Sequence, residues 1–323
     1  MVRNFAAAMF ALGFLSAATL AEAADCPGNA NALGTSRTIA VDPAEHPFVG
    51  GAQYAETLPL VDREIVLTFD DGPAPPFTEH VLNTLASECV KATFFVVGRM
   101  ARAYPDTVRR IHAEGHTIGT HSQNHPLIFD RMAIEQVQQE VETGIASATA
   151  ALGDTGTLAP FFRIPGLARS PAVDAYLQQR GLMTWSIDFD ADDYRRIGAP
   201  DVVARALRRA ENKGRGILLL HDPRAATMEA LPALLRELKA RGFRIVHVVP
   251  ADAGHPRTNT PVADWTAPPG PKLVIRHPVA PTTGMPIASP DNVRPVPAAR
   301  ANEKGEPAPF LLLPFFQPGA PAR

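Results

Sequence analysis

The stretch EIVLTFDDGPAPP, residues 64–76, decides how the chain is read. Residues 64–69 have the apolar and β-branched composition of a short buried strand. The run then stops on two adjacent carboxylates, Asp70 and Asp71, followed at once by Gly72 and Pro73. Two explanations are open. Asp-Gly and Gly-Pro are strong breakers, so the acids can be a solvated turn. Alternatively they belong to a metal or acid/base site at a strand end.

The pattern outward from this stretch bears on the choice. Further apolar runs at 91–97, 116–120, 161–164, 182–188, 216–221 and 243–249 read as strands. Helical patterns separate them, among them FTEHVLNTLASE, RMAIEQVQQEVETGIASATAAL, SPAVDAYLQQRG, APDVVARALRRAENK and ATMEALPALLRELKARG. Strand and helix in alternation imply right-handed βαβ units and a parallel sheet. The fold class expected is therefore α/β, a distorted (β/α)7 barrel, with a doubly wound open sheet as the alternative. In a parallel fold the strand ends that carry Asp70 and Asp71, His121 and His125, Arg163, Asp188 and His221 share one face. Such barrels build their active sites on that face. His121 and His125 are four apart, a spacing that lets two imidazoles reach one ion if the segment turns. An added aspartate gives a two-His, one-carboxylate set, the composition of a hydrolytic metal centre. His112 and His116 have the same spacing but flank a helix end and a strand, and are read as surface or capping residues.

Composition bounds the rest. A chain of 323 residues, 46% hydrophobic and 20% charged, has enough apolar content for a substantial core. Its net charge of -2 gives no reason to expect nucleic acid as a partner. Residues 1–24 combine Arg3, an apolar stretch and an Ala-Glu-Ala sequence, which reads as a cleaved export signal and a periplasmic or secreted protein, with no stable membrane span after cleavage. Export makes Cys26 and Cys89 a potential disulfide, with two unpaired thiols as the other reading. Residues 25–61 are expected as an N-terminal extension, 62–250 as the catalytic domain, and 251–323 as a Pro-rich disordered tail without a packed core. Within that tail FLLLPFF, residues 310–316, is too short and too broken by Pro314 to span a membrane. A monomer is expected.

Taken in order, TFDDGP, HSQNH, RIPG, WSIDFDADDY and LLLHD resemble the five signature motifs of the polysaccharide deacetylases with a NodB-homology domain, carbohydrate esterase family four. The resemblance covers about residues 62–249. It implies hydrolysis of N-acetyl groups on an amino-sugar polymer or oligomer, peptidoglycan first and chitin-like chains next. A small-amide hydrolase of the same fold, or a glycan-binding protein without turnover, are the alternatives. Residue by residue, the resemblance implies that Asp71, His121 and His125 hold one divalent ion, Zn2+ by preference, with Co2+ or Mn2+ as alternatives. Asp70 is then the general base, Arg163 its partner, and His221 the general acid. Gly166 supplies a backbone N–H for the oxyanion, and Leu219 lines the acetyl pocket. Arg163 is expected to keep Asp70 ionised, since a close positive charge lowers a carboxyl pKa.

Two features depart from the family pattern. An aromatic residue is common where Gly166 stands, and a Trp where Tyr194 closes DADDY, so the sugar-lining surface is altered. The aspartate that supports His221 also has an ambiguous register. Asp190 fits a D-x-x-D-aromatic spacing and Asp188 fits a strand end, and Asp188 is preferred because a partner of His221 must stand at the barrel mouth. For Asp192 and Asp193 a solvated acidic loop is the plainer alternative.

Overall fold

A computed structural model of the chain describes residues 26–269 together with 272 and 273. The expected export signal and the apolar stretch at 310–316 lie outside the described residues. Ten strands form one sheet: β1 (Thr35–Val41), β2 (Phe48–Val49), β3 (Glu64–Asp70), β4 (Thr93–Val96), β5 (Thr117–Thr120), β6 (Phe161–Phe162), β7 (Met183–Trp185), β8 (Phe189–Asp190), β9 (Gly216–His221) and β10 (Arg244–Pro250). Their pairings are all parallel and run β1-β10-β3-β4-β5-β6-β7-β2, with β9 on the other side of β3 and β8 beyond it. The helices are α1 (Phe77–Ser87), α2 (Gly98–Ala103), α3 (Pro105–Ala113), α4 (Ile134–Leu152), α5 (Pro171–Gln179), α6 (Ala199–Lys213) and α7 (Ala225–Ala240).

The period of two along β3 explains the layers. Ile65, Leu67 and Phe69 face one way and pack against helix residues such as Val81, Val202 and Leu231. Val66 faces the other way, into an inner cluster with Phe95, Phe161, Trp185, Ile217 and Val246. Each fully buried side chain of this kind contributes about 1.5–3 kcal/mol. The helices stop where their sequences say they should. α6 buries the stripe Val202, Ala206, Leu207 and Ala210 and ends at Gly214, whose φ of 74° suits glycine. Ser170 caps α5 by accepting the Val173 N–H at 3.4 Å.

The folded part is wider than residues 62–250. The segment expected as an extension supplies β1 and β2, and Cys26 and Cys89 form a disulfide. Residues beyond 250 also pack. Trp265 is buried in the inner cluster and stacks on His46 with ring centroids 3.5 Å apart, and Thr266 bridges to Glu56. Periodicity could not reveal this segment, because it is irregular backbone held by one large side chain and by scattered backbone hydrogen bonds, such as Thr57 N–H to the Trp265 carbonyl and Ala267 N–H to the Ala55 carbonyl, each at 2.8 Å. The strand expected over 182–188 is two short strands, β7 and β8, with a crossing at 186–188, and this split matters at the site.

Candidate active site

Asp70 ends β3 on the face of Val66 and Thr68, so its carboxylate points inward. A continuing strand would send Asp71 to the opposite face. Instead Asp71 takes a left-handed backbone, φ 77°, which turns its side chain back to the same mouth. Gly72 then has no room for a side chain, because a Cβ there would lie 2.1 Å from the buried carboxylate of Asp222. Ser122, His125, Leu167 and Asp192 also hold positive φ in loops at this end of the sheet. Such conformations concentrate at functional sites.

The two acids have different surroundings. Asp70 is buried, and its Oδ1 accepts from Arg163 Nη1 at 2.7 Å. Arg163 is itself fully buried, donates also to Thr68 Oγ1 and the Ser186 carbonyl, and lies over the Phe95 ring. Burial pushes the Asp70 carboxyl above its ordinary range, and Arg163 pulls against this without cancelling it. That corrects the expectation of a net downward shift. A carboxylate held this way is a stronger base than a solvated one.

Asp71 faces the histidines. Its Oδ1 lies 3.1 Å from His125 Nε2 and 3.6 Å from His121 Nε2, and one ligand atom from each residue lies within 4.8 Å of the others. Zinc bonds of about 2.1 Å in tetrahedral array separate ligand atoms by roughly 3.4 Å, so these spacings suit one ion. Two further observations fit. Asp71 Oδ1 is buried and makes no hydrogen bond. His121 Nδ1–H donates to the Arg163 carbonyl at 2.6 Å, which leaves Nε2 as a lone pair facing Asp71. Burial, together with the neighbouring His125, lowers the His121 pKa to about 3, so its ring stays neutral with Nε2 able to accept a metal ion.

Across the mouth His221 ends β9, directly opposite Asp70 in the β3–β9 register. Its partner is Asp193. Asp193 Oδ1 is 2.8 Å from His221 Nδ1, and Oδ2 accepts from the His221 N–H at 2.7 Å and Thr227 Oγ1 at 2.6 Å. Burial alone would lower the His221 pKa, but the hydrogen bond and charge of Asp193 more than reverse this and push it to about 9.

The assignment of Asp188 to that role is thereby corrected. Asp188 accepts from the Gly51 and Ile217 N–H groups and from Thr57 Oγ1, which ties the start of β9 to the segment before β3. The register gives the reason. β8 pairs Phe189 with Leu218 and Asp190 with Leu219, so the chain is still climbing at 188 and reaches the level of His221 only beyond 190. Asp190 pairs with Arg209 instead, and since Asp192 is buried against Arg205 and Arg209 and Asp193 against His221, the two are not a solvated acidic loop. The signal for Asp193 was present, as it is the second acid of the D-x-x-D-aromatic spacing. Asp222 was not singled out from sequence. It is buried, its Oδ1 has no partner, and burial pushes its pKa up to about 7.

The remaining expected residues line the mouth. Leu219 is buried with Leu167 and Ile187. Gly166 is exposed at φ 59° beside Leu127. Tyr194 is 43% exposed and sets its ring edge-on to His221, with centroids 5.9 Å apart.

A buried acid with its arginine, an Asp-His-His set and an Asp-supported histidine around one opening make an arrangement suited to hydrolysis. Comparison with known proteins agrees. A family description, polysaccharide deacetylase, matches residues 58–185. A chitooligosaccharide deacetylase of Rhizobium leguminosarum bv. trifolii is 34% identical over 206 residues, which is 57% of this chain and 89% of that protein. The chain belongs to the polysaccharide deacetylase family. Other members resemble it similarly. A peptidoglycan-N-acetylglucosamine deacetylase of Bacillus cereus is 32% identical over 62% of this chain and 72% of its own length. The solved peptidoglycan deacetylase of Bdellovibrio bacteriovorus superimposes with a TM-score of 0.60 at 30% identity, covering 68% of this chain and 60% of that one.

Proposed function

We propose that this polysaccharide deacetylase is a metal-dependent N-deacetylase of an acetylated amino-sugar polymer, acting outside the cytoplasm. The observation that carries the reading is the convergence on one mouth of the Asp71-His121-His125 set, the Asp70–Arg163 pair and the His221–Asp193 pair. Binding alone would need neither a buried base nor a charged histidine. The disulfide supports an oxidising compartment. Among the described residues no helix is long and apolar enough to cross a membrane.

An amide is a poor electrophile with a poor leaving group, so its hydrolysis needs activated water, oxyanion stabilisation and a proton donor. Asp71, His121 and His125 would hold the ion, which when bound supplies Lewis acidity toward the amide carbonyl and water. Asp70 takes the proton as water adds to the carbonyl carbon. The Gly166 N–H stabilises the oxyanion that forms. His221, held charged by Asp193, gives its proton to the nitrogen as the carbon–nitrogen bond breaks, leaving acetate and a free amine. Leu219 and its apolar neighbours receive the acetyl methyl, and Tyr194 offers an exposed ring to the sugar.

Peptidoglycan is the first substrate proposed and chitin-like oligosaccharides the second, in keeping with the two kinds of named relative. Mass spectrometry of both glycans after incubation with the zinc-loaded protein tests the reading. Loss of acetyl groups with release of acetate is expected from at least one. Intact acetylation of both would overturn it.

A further inference from the structure

The loop between the two histidines of the ion site has an unusual backbone, with Ser122 at φ 65° and His125 at φ 60°. Non-glycine residues keep such angles only where their surroundings fix them. Here the loop is gripped from two sides. The start of α2 takes its carbonyls, through Gly98 N–H to Ser122 O at 2.9 Å and Arg99 N–H to Gln123 O at 3.0 Å. The amides go to Glu140 of α4, 17 residues beyond Gln123. Its Oε2 accepts the Gln123 N–H at 3.1 Å and the Asn124 N–H at 2.8 Å, and its Oε1 accepts Asn124 Nδ2 at 2.8 Å.

The grip follows one stripe of the helix. Residues 140, 144 and 147 share a face at helical spacing. Gly144 lets the helix backbone come close, since a Cβ there would sit 2.7 Å from the Ser122 carbonyl carbon. Ser147 Oγ donates to Gln123 Oε1 at 2.8 Å. Three N–H donors of one short loop thus converge on a single carboxylate, and that loop decides where both imidazoles point.

We infer that Glu140 is a positioning residue for the metal centre: its carboxylate fixes the 122–124 loop so that His121 and His125 are aimed at one ion. This rests on the metal-dependent reading above. Groups that orient metal ligands from behind are commonly worth 10–100-fold in metal affinity. Glu142, two residues away, serves as the control because it bonds Arg180 and Tyr176 instead of the loop.

The test titrates Co2+ into metal-free wild type, Glu140→Gln, Glu140→Ala and Glu142→Ala, following the visible absorption of bound cobalt, with thermal unfolding of each metal-free protein alongside. Glu140→Ala should weaken Co2+ binding by about 10–100-fold. Glu140→Gln should weaken it less, since one amide oxygen still accepts. Glu142→Ala should lower Tm without changing the Kd. At saturating Co2+ the turnover of Glu140→Ala should return to near that of wild type, which a general loss of structure would not allow. Wild-type affinity in Glu140→Ala overturns the inference. Should that variant not fold, wild-type affinity in Glu140→Gln overturns it equally. Absence of Co2+ binding by the wild type would instead remove the metal reading beneath it.

Discussion

Two histidine pairs have the same spacing and opposite fates. His121 and His125 lie in a loop whose left-handed residues bring both rings together, 4.8 Å between centroids, with a buried carboxylate oxygen that accepts no hydrogen bond before them. His112 and His116 straddle the end of α3 and the start of β5. The His112 ring lies beside Gly156, whereas His116 is buried edge-on to Phe94, which corrects its reading as a surface or capping residue. His116 Nδ1 accepts the Ala92 N–H, and its Nε2 is 3.9 Å from Glu114, beyond hydrogen-bond range. Near it His247 is buried against Thr117. Spacing proposes a site; backbone turn and carboxylate partners decide whether one exists.

The largest effect that can break this contrast is at the acids of the mouth. Asp70→Asn should cut turnover on the order of a thousandfold yet leave bound zinc in place, because Asp70 is proposed as base and not ligand. Asp71→Ala and His125→Ala should lose zinc and activity together, while His112→Ala keeps both. Metal content by atomic absorption beside acetate release decides it, and an empty site in Asp70→Asn would sink the division of roles.

A smaller loss is expected across the mouth. His221→Ala should keep its metal and slow amide hydrolysis about a hundredfold, with less loss on an acetyl ester whose alcohol leaves more readily. Its pH behaviour sharpens the point. A proton donor with a pKa raised to about 9 is charged below that pH, so the rate should fall as pH rises through it. Asp193→Asn removes the carboxylate that raises this pKa, and the fall should move to lower pH. Asp188→Asn should leave it where it is, and a shift there instead would restore Asp188 to the role.

The smallest effect belongs to the other histidine group. Burial lowers the His116 pKa, and lowers that of His247 to about 3. The unfolded chain therefore binds protons that the folded chain refuses, and stability should decline as pH falls below about 6.5, the ordinary histidine pKa. Each such histidine contributes up to about 1.4 kcal/mol per pH unit over that range. Urea unfolding at pH 7 and pH 5 measures the slope. His247→Gln should flatten it, and an unchanged slope would show that this histidine is not the source.

Much of this is legible in the sequence alone. The strand ends at 70, 121, 163 and 221 follow from hydrophobic runs stopping at polar residues, a local signal that parallel topology then gathers on one face. Asp193 was harder, because its position depends on where the chain restarts its climb after Trp185, and a two-residue strand leaves almost no periodicity to read. Trp265 and His46 were illegible for a related reason. Their contact joins irregular segments far apart in sequence, and local pattern holds no information about which distant surface a single aromatic ring will cover. Glu140 carries no signal in the sequence, since two of the three donors it accepts from are backbone amides, which have no residue signature.

The pairing of β1 with β10 sets an order of events for the chain as it folds. Ser36 and Ile245, which meet there, are 209 residues apart in sequence. Every other strand of the sheet lies between them, so this is the longest strand-to-strand loop the sheet must close and a contact that rewards the chain only late. Until the segment through Pro250 has emerged from the ribosome, β1 has no sheet to join, and an incomplete chain presents an unpaired strand edge. The mouth residues 70 to 221 can be in place before that final seam is made. A chain halted between the two stages would carry most of its catalytic groups on a sheet that has not yet been sealed.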